Sequence, residues 1–391
     1  MLLGRADASS SAVVRRTRNG VVQQDGTSLL VLGNGGAEVL SDAAAHRLAA
    51  PTWRALLATQ HDAEEPLMVH SSVGRNAFVD EFERELCAHV PPQLKPCRLV
   101  LQAEGCSAVQ AAVQALCPAG RAVGVCARSY HGPPAFAFGS GHSRCDASFS
   151  PPQLLYPEPR DGVDGVLDWL DAHADALGVL VVEPQRGSAG LGEPWRRAEL
   201  VRVMKRAREH NIRVLCDEVM CGMGRHGQGP CAFLTHAWEL PSDAVAFGKG
   251  VGLAGPLAGA LLRSDAVLRS PANHTYAHGA HTVPLRLGAA LLRDLPLYLG
   301  DRAQVLCAVM LDELTPLRST LDIRGQGLLW GIKTRAPTAL ARRCREAGVV
   351  VYPVPRGVLL TPPLDMEPSA LRRGMRIVLA VLRCAAEKKN E

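Results

Sequence analysis

Val214 to Gly252 reads VLCDEVMCGMGRHGQGPCAFLTHAWELPSDAVAFGKGVG, a stretch that ends one apolar strand on an acid and the next on a lysine. A short β-branched run, Arg213 to Cys216, stops at Asp217 and Glu218, and a glycine-rich loop from Gly222 to Gly229 follows. A second run, Ala244 to Phe247, delivers Lys249 between Gly248 and Gly250, 32 residues after Asp217. Glycine there lets the backbone turn sharply and approach a ligand.

An arbitrary Asp and Lys are a solvated surface pair. Lysine usage argues otherwise here. Of 43 basic residues only six are lysines, namely Lys95, Lys205, Lys249, Lys333, Lys388 and Lys389. A lysine flanked by glycines, in a chain that otherwise relies on arginine, points to a need for a primary amine. A carboxylate and an amine at the carboxyl ends of neighbouring strands suit a cofactor such as pyridoxal phosphate. The lysine would form an imine with its aldehyde, and the aspartate would keep the ring nitrogen protonated so that the ring accepts electrons from a carbanion.

DEVMCGMGR (217–225) followed by AFGKGVG (246–252) resembles the class III aminotransferases, pyridoxal-phosphate enzymes of fold type I. Their motif is DEV-x-x-G-x-GR and then a Gly-Lys-Gly strand end, in the same order and at matching spacing. The resemblance runs from about residue 20 to the C-terminus, close around Asp217 and Lys249 and loose before Ala77. It implies that Asp217 partners the pyridine nitrogen, that Val219 packs on one ring face and that Lys249 is the imine lysine. It also implies an α/β fold: a large domain with a mostly parallel sheet flanked by helices, and a small α+β domain built from both ends of the chain. The expected divisions are 1–50, 51–285 and 286–391.

Composition is consistent with this. At 391 residues the chain can bury a large core. Its net charge is +5 and its pI about 8.6, with acids and bases interspersed, so no basic face invites nucleic acid. Twelve cysteines without a CxxC pair read as free thiols in a reducing compartment. No apolar run approaches the length of a membrane span, and no secretory apolar region opens the chain. The cytoplasm is the expected location. Met1 to Arg18, rich in Arg, Ser and Ala, reads as a disordered start or, alternatively, a short organelle transit peptide.

Taken in order, Val13 to Val31 reads as strands around a turn at Asp25-Gly26. Gly33 to Glu38 is a near miss for a dinucleotide fingerprint, because Glu38 stands where the third glycine should be. Phe78, Phe82, Leu86 and Val90 mark a helix stopped by Pro91-Pro92. A strand at Arg98 to Leu101 leads through Glu104-Gly105-Cys106-Ser107 into a helix whose unpaired N–H groups make an anion site. By the resemblance this is the phosphate loop, Ser-Gly-Thr-Glu-Ala in the family, with Gly105 and Cys106 binding the cofactor. Cysteine donates poorly, which shifts the burden to backbone amides. The strand Ala122 to Cys126 ends at Tyr130-His131-Gly132, where the resemblance implies that Tyr130 stacks on the pyridine ring.

Ser140 to Asp161, rich in Pro, is expected to be a surface connection, and Gly178 to Val182 a buried strand ending at Glu183-Pro184. Leu200, Val203, Met204 and Ala207 form a helical stripe before the Asp217 strand, completing a βαβ unit. Pro256 to Leu262 is a further strand. His274, His278 and His281 lie close together, but with no acid or thiol nearby they do not suggest a metal. The family's Thr-aromatic-x-Gly loop falls here and gives a threonine to the neighbouring subunit's phosphate, which implies a homodimer. Thr275 fits the local motif and Thr282 the distance to the next helix. The chain closes with alternating elements at Ala339–Glu346, Val349–Tyr352 and Val358–Thr361. A last helix follows, bearing Leu371, Met375, Val378 and Leu382.

The implied activity is amino transfer between small-molecule amines and keto acids, with Lys249 as general base and acid. The same carbanion serves decarboxylases, aminomutases, racemases and phospholyases, and a non-catalytic relative is the rival of another class. The substrate is addressed by two positions. Many class III enzymes acting on α-amino acids carry an arginine three residues before Pro-Pro-Leu and an acid five residues past the Glu-Pro glutamate. Here these are Leu359 and Ser188. Losing both halves of an ion pair together avoids a buried lone charge and points to an amine or ω-amino donor. Arg356, three residues before Leu359, is the other candidate for gripping a carboxylate.

Overall fold

The computed structural model describes residues 13–16, 20–23, 28–32, 40, 44–45, 47–51, 77–132, 151–253, 255–268 and 281–387. The Asp25-Gly26 turn, Gly33 to Glu38 and Thr275 lie outside them. In chain order the N-terminal strands are β1 (Val13–Arg16), β2 (Gly20–Gln23) and β3 (Ser28–Val31). Helix α1 (Ala77–Cys87) buries Val79, Phe82 and Leu86 and ends before the expected Val90, which is itself buried. There follow β4 (Cys97–Gln102), α2 (Gly105–Leu116), β5 (Ala122–Cys126), β6 (Gln153–Tyr156), α3 (Val163–His173), β7 (Leu177–Val182), α4 (Arg197–Glu209) and β8 (Arg213–Asp217). Then come the one-turn α5 (Leu234–Ala237), β9 (Ala244–Phe247), β10 (Ala258–Arg263), α6 (Thr282–Leu299) and α7 (Asp301–Leu314). The C-terminal part holds β11 (Ile323–Gln326), β12 (Leu329–Lys333), α8 (Pro337–Glu346), β13 (Val349–Val350), β14 (Tyr352–Val354), β15 (Gly357–Leu360) and α9 (Pro368–Glu387).

The central sheet has strand order β4-β10-β9-β8-β7-β5-β6, parallel except for β10. Its inner strands are apolar along their length, with charge only at their ends, because both faces are covered. Alternation sorts them. Val179, Val181 and Leu215 join Val109, Ala112 and Leu116 of α2 on one face. Leu180, Val182, Val214 and Cys216 join α1, α3, α4 and α6 on the other. Alanines along α2 let it lie close to the sheet, so its N-terminus comes near the strand ends.

Two smaller four-stranded sheets stand beside this layer, β1-β2-β3-β13 and β11-β12-β15-β14. Two expectations are corrected. Part of the connection from Ser140 to Asp161 is β6, whose Tyr156 is buried and donates its hydroxyl to the Val181 carbonyl at 3.0 Å. Parallel pairing with β5 makes this four-residue run a strand. The single strand expected at Val349–Tyr352 is divided, β13 pairing with β3 and β14 with β15. Among the described residues no helix is long and apolar enough to cross a membrane.

Candidate active site

Because β5 to β9 run parallel, their carboxyl ends share one edge, and β4 ends there too. Asp217 closes β8 at this edge, buried. One of its oxygens accepts the Val219 amide at 3.0 Å, and the other lies 2.7 Å from His131 Nδ1. Val219 is wedged against two glycines: a Cβ on Gly105 would stand 2.5 Å from its Cγ1, and one on Gly248 3.4 Å away. Any larger residue at 105 would displace Val219, so the spacing between α2 and β8 depends on that glycine.

Lys249 opens the turn after β9, with its side chain accessible within the cleft. The sharp bend expected at its flanking glycines lies at Lys249 itself, with φ at 49°, while Gly248 is extended at 177°. A left-handed lysine is strained and is held only by its surroundings. Surrounding protein pushes its ammonium below the usual range, against the pull of Asp217 and Glu104, and Arg225 adds to the push. Arg225 is itself buried, with one bond to the Pro362 carbonyl at 3.0 Å, and burial lowers it to about 10. A guanidinium with no acid beside it among the described residues favours a neutral, nucleophilic amine at Lys249.

The third part is the start of α2. Glu104 precedes it in an extended conformation without capping the helix through its side chain, leaving the first amides unpaired by it. Cys106 packs on Gly132, where a Cβ would fall 2.3 Å from the cysteine Cβ, so the loop after β5 is pinned to the helix start. Tyr130, 55% exposed, stands on that loop. An aldehyde-reactive amine, a buried acid for a ring nitrogen, an apolar ledge at Val219 and an open helix N-terminus fit pyridoxal 5′-phosphate. Glu104, an acid where the family's loop has serine, is a misfit, beside Cys106 in place of its threonine and Ser107 in place of its acid. Thr282 is buried at the start of α6, and His281 caps that helix by accepting the Val283 amide at 3.3 Å.

Two groups that sequence reasoning left in the background complete the floor. Burial opposes the imidazolium of His131, but the hydrogen bond and charge of Asp217, with the Glu183 charge, outweigh it and raise the ring above its usual value. Glu183 follows β7, accepts the Gly187 amide at 2.9 Å and is pushed by burial to about 7. Glu218 has a structural task. Its carboxylate accepts the Leu234 and Thr235 amides at 2.7 and 2.6 Å, capping α5, and burial likewise raises it to about 7. The Tyr-His-Gly and Glu-Pro positions at strand ends were the available signals for His131 and Glu183.

Above this floor the wall is apolar. Leu359 is fully buried with Leu191 and Val354, and Met220, next to Val219, packs on them. Ser188 is half-buried in the loop that carries Leu191.

Solved structures share this architecture. An (S)-enantioselective omega-transaminase from Thermomicrobium roseum superposes with a TM-score of 0.78 at 18% identity, over 95% of this chain and 92% of that one. A PMP-bound aminotransferase from Vibrio fluvialis gives 0.78 at 17%, over 96% and 92%. At such identity the likeness concerns the fold alone. In sequence, the acetylornithine aminotransferase of Agrobacterium fabrum is 30% identical over 228 residues, 55% of this chain and 56% of that protein. The mitochondrial acetylornithine aminotransferase of Candida glabrata is 26% identical over 248 residues, 58% and 55%. The chain thus spans about half the length of the curated relatives it matches. The family model for Aminotransferase class-III matches residues 50–382, far more than half of the sequence, and the chain belongs to that family.

Proposed function

We propose that this protein is a pyridoxal-phosphate-dependent aminotransferase that takes the amino group of an amine or ω-amino compound and passes it to a keto acid. The observation that carries the reading is Lys249, strained and poised toward the neutral amine one strand from the Asp217–His131 pair. When bound, the cofactor supplies an electron-accepting ring that stabilises negative charge on the substrate carbon. Asp217, oriented by His131 and the Val219 amide, holds a proton on the ring nitrogen. Lys249 Nζ, once free, takes the proton from the substrate carbon that bears nitrogen. Among the described residues the apolar wall around Leu359 offers no partner for a carboxylate beside that carbon, which supports a donor lacking one there.

The working unit in this reading is a homodimer, with the loop around Thr275 completing the neighbouring site, and its location is the cytoplasm, or an organelle if residues 1–18 act as a transit peptide. The purified protein should be yellow, borohydride should fix the cofactor to Lys249, and the same sample should sediment as a dimer. A tryptic map placing the pyridoxyl group elsewhere, or no cofactor after reconstitution, overturns the reading. Product analysis with an amine and a keto acid separates amino transfer from other reactions of the same carbanion.

A further inference from the structure

Glu158, two residues past β6 and buried, is ringed by guanidinium groups. Arg128 Nη1 lies 2.7 Å from it, Arg186 Nη1 3.0 Å and Arg356 Nη1 3.9 Å. Arg186 is also bound to Glu193, which Arg324 reaches at 3.3 Å while holding Asp322 at 2.8 Å. One carboxylate is therefore divided among three cations, and Arg356 receives the smallest share. Its side chain is 25% exposed, while its Nη1 is buried and makes no hydrogen bond among the described residues. Burial and then the Arg128 charge press it below its usual range, with Glu158 pulling the other way. A guanidinium short of acceptors and set among others is a receptor for an anion.

Its position says which anion. Arg356 sits in the turn between β14 and β15, the hairpin whose Val354 and Leu359 close the wall over Met220. Arg128 is two residues before Tyr130, on the loop that brings His131 to Asp217. The cluster thus stands on the same sheet edge as Lys249, at β5 and β6, two to three strands from Asp217 on β8 and three to four from Lys249 on β9. At about 4.8 Å per strand this is on the order of 15 Å from the lysine strand, of which an extended arginine side chain spans about 6 Å. The remainder is too far for a carboxylate on the reacting carbon and within range of one at the other end of a chain of roughly six to eight carbons.

Resting on the aminotransferase reading, we propose that Arg356 and Arg128 grip the remote carboxylate of an ω-amino acid donor, and that Glu158 holds both guanidinium groups in place. The test compares 6-aminohexanoate with hexylamine, which lacks only the carboxylate, in the first half-reaction of the holoenzyme, and measures adipate binding by calorimetry. Arg356→Ala should cut the preference for 6-aminohexanoate by about 10- to 100-fold and weaken adipate by a similar factor. Arg356→Lys, which keeps the charge and loses the fork, should fall between. An unchanged preference and unchanged adipate affinity in a folded Arg356→Ala overturn the proposal while leaving amino transfer intact. Adipate binding that depends on Arg356 in a protein that transaminates nothing sustains the grip and defeats the functional reading instead.

Discussion

On the floor of the cleft, at the ends of β8 and β9, charge is kept at the reacting centre and given close partners. Asp217 holds His131 and the Val219 amide, and Lys249 lies between the opposing fields of Asp217 and Arg225. On the wall, where β14 and β15 meet the loop carrying Leu191, the position over the floor is apolar, and charge stands further out at Glu158, Arg128 and Arg356. In the proposed function the floor fixes a chemistry that many substrates could share, and the wall decides which substrate can stay.

Putting floor-like charge into the wall should break this contrast most visibly. Leu359→Arg buries a guanidinium beside Leu191 and Val354, and urea unfolding should lose about 3–5 kcal/mol. Adding Ser188→Glu should recover part of the loss and admit α-amino acids, which the proposed function has the wild type reject. A stable single variant would mean that the wall is open to water and that its apolar character excludes nothing.

A smaller effect sharpens the floor. Glu183 rises from 4.5 to about 7 on folding, and His131 rises above 6.5. Both shifts mean that the folded chain binds more protons than the unfolded one, so stability falls as pH rises. For Glu183 the decline runs from about 4.5 to 7, and for His131 it begins above 6.5 and continues through its folded value. Glu183→Gln keeps an acceptor for the Gly187 amide. It should match the wild type near pH 4.5 and exceed it above pH 7 by on the order of 1–3 kcal/mol. Parallel curves across that range would place the carboxylate in a wetter setting than its burial implies.

The smallest effect concerns the acid at the start of α2. Glu104→Ser removes a negative charge from the anion-binding end of the helix, and the apoprotein should bind pyridoxal phosphate about three- to tenfold more tightly in fluorescence titration. Weaker binding by the serine variant would show that Glu104 serves the site rather than opposing it.

Much of the floor was legible because its logic is local. Asp217 and Val219 are two residues apart, each strand is a short apolar run, and the loop-to-helix start at Gly105 announces an anion site. Partners brought together by the fold were harder to read. The bond from His131 to Asp217 spans 86 positions, and Glu218 reaches 16 and 17 residues ahead to cap α5. Nothing in the order of residues pairs Glu158 with Arg356. Strand β6 escaped because four residues among prolines become a strand only beside β5, and the run at 349–352 was divided by partners it meets in space. The turn at Lys249 ran against residue preference, glycine being free to bend while the lysine does so.

The pairing of β3 with β13 places Leu30 opposite Val349 in one small sheet. During synthesis the ribosome must release most of the chain before that ladder can close, and the entropy of closing so long a loop falls on the few contacts that tie β3 to the C-terminal part. Until then β3 keeps a bare row of amides and carbonyls along one side, the kind of edge that a second nascent chain can mistake for its own.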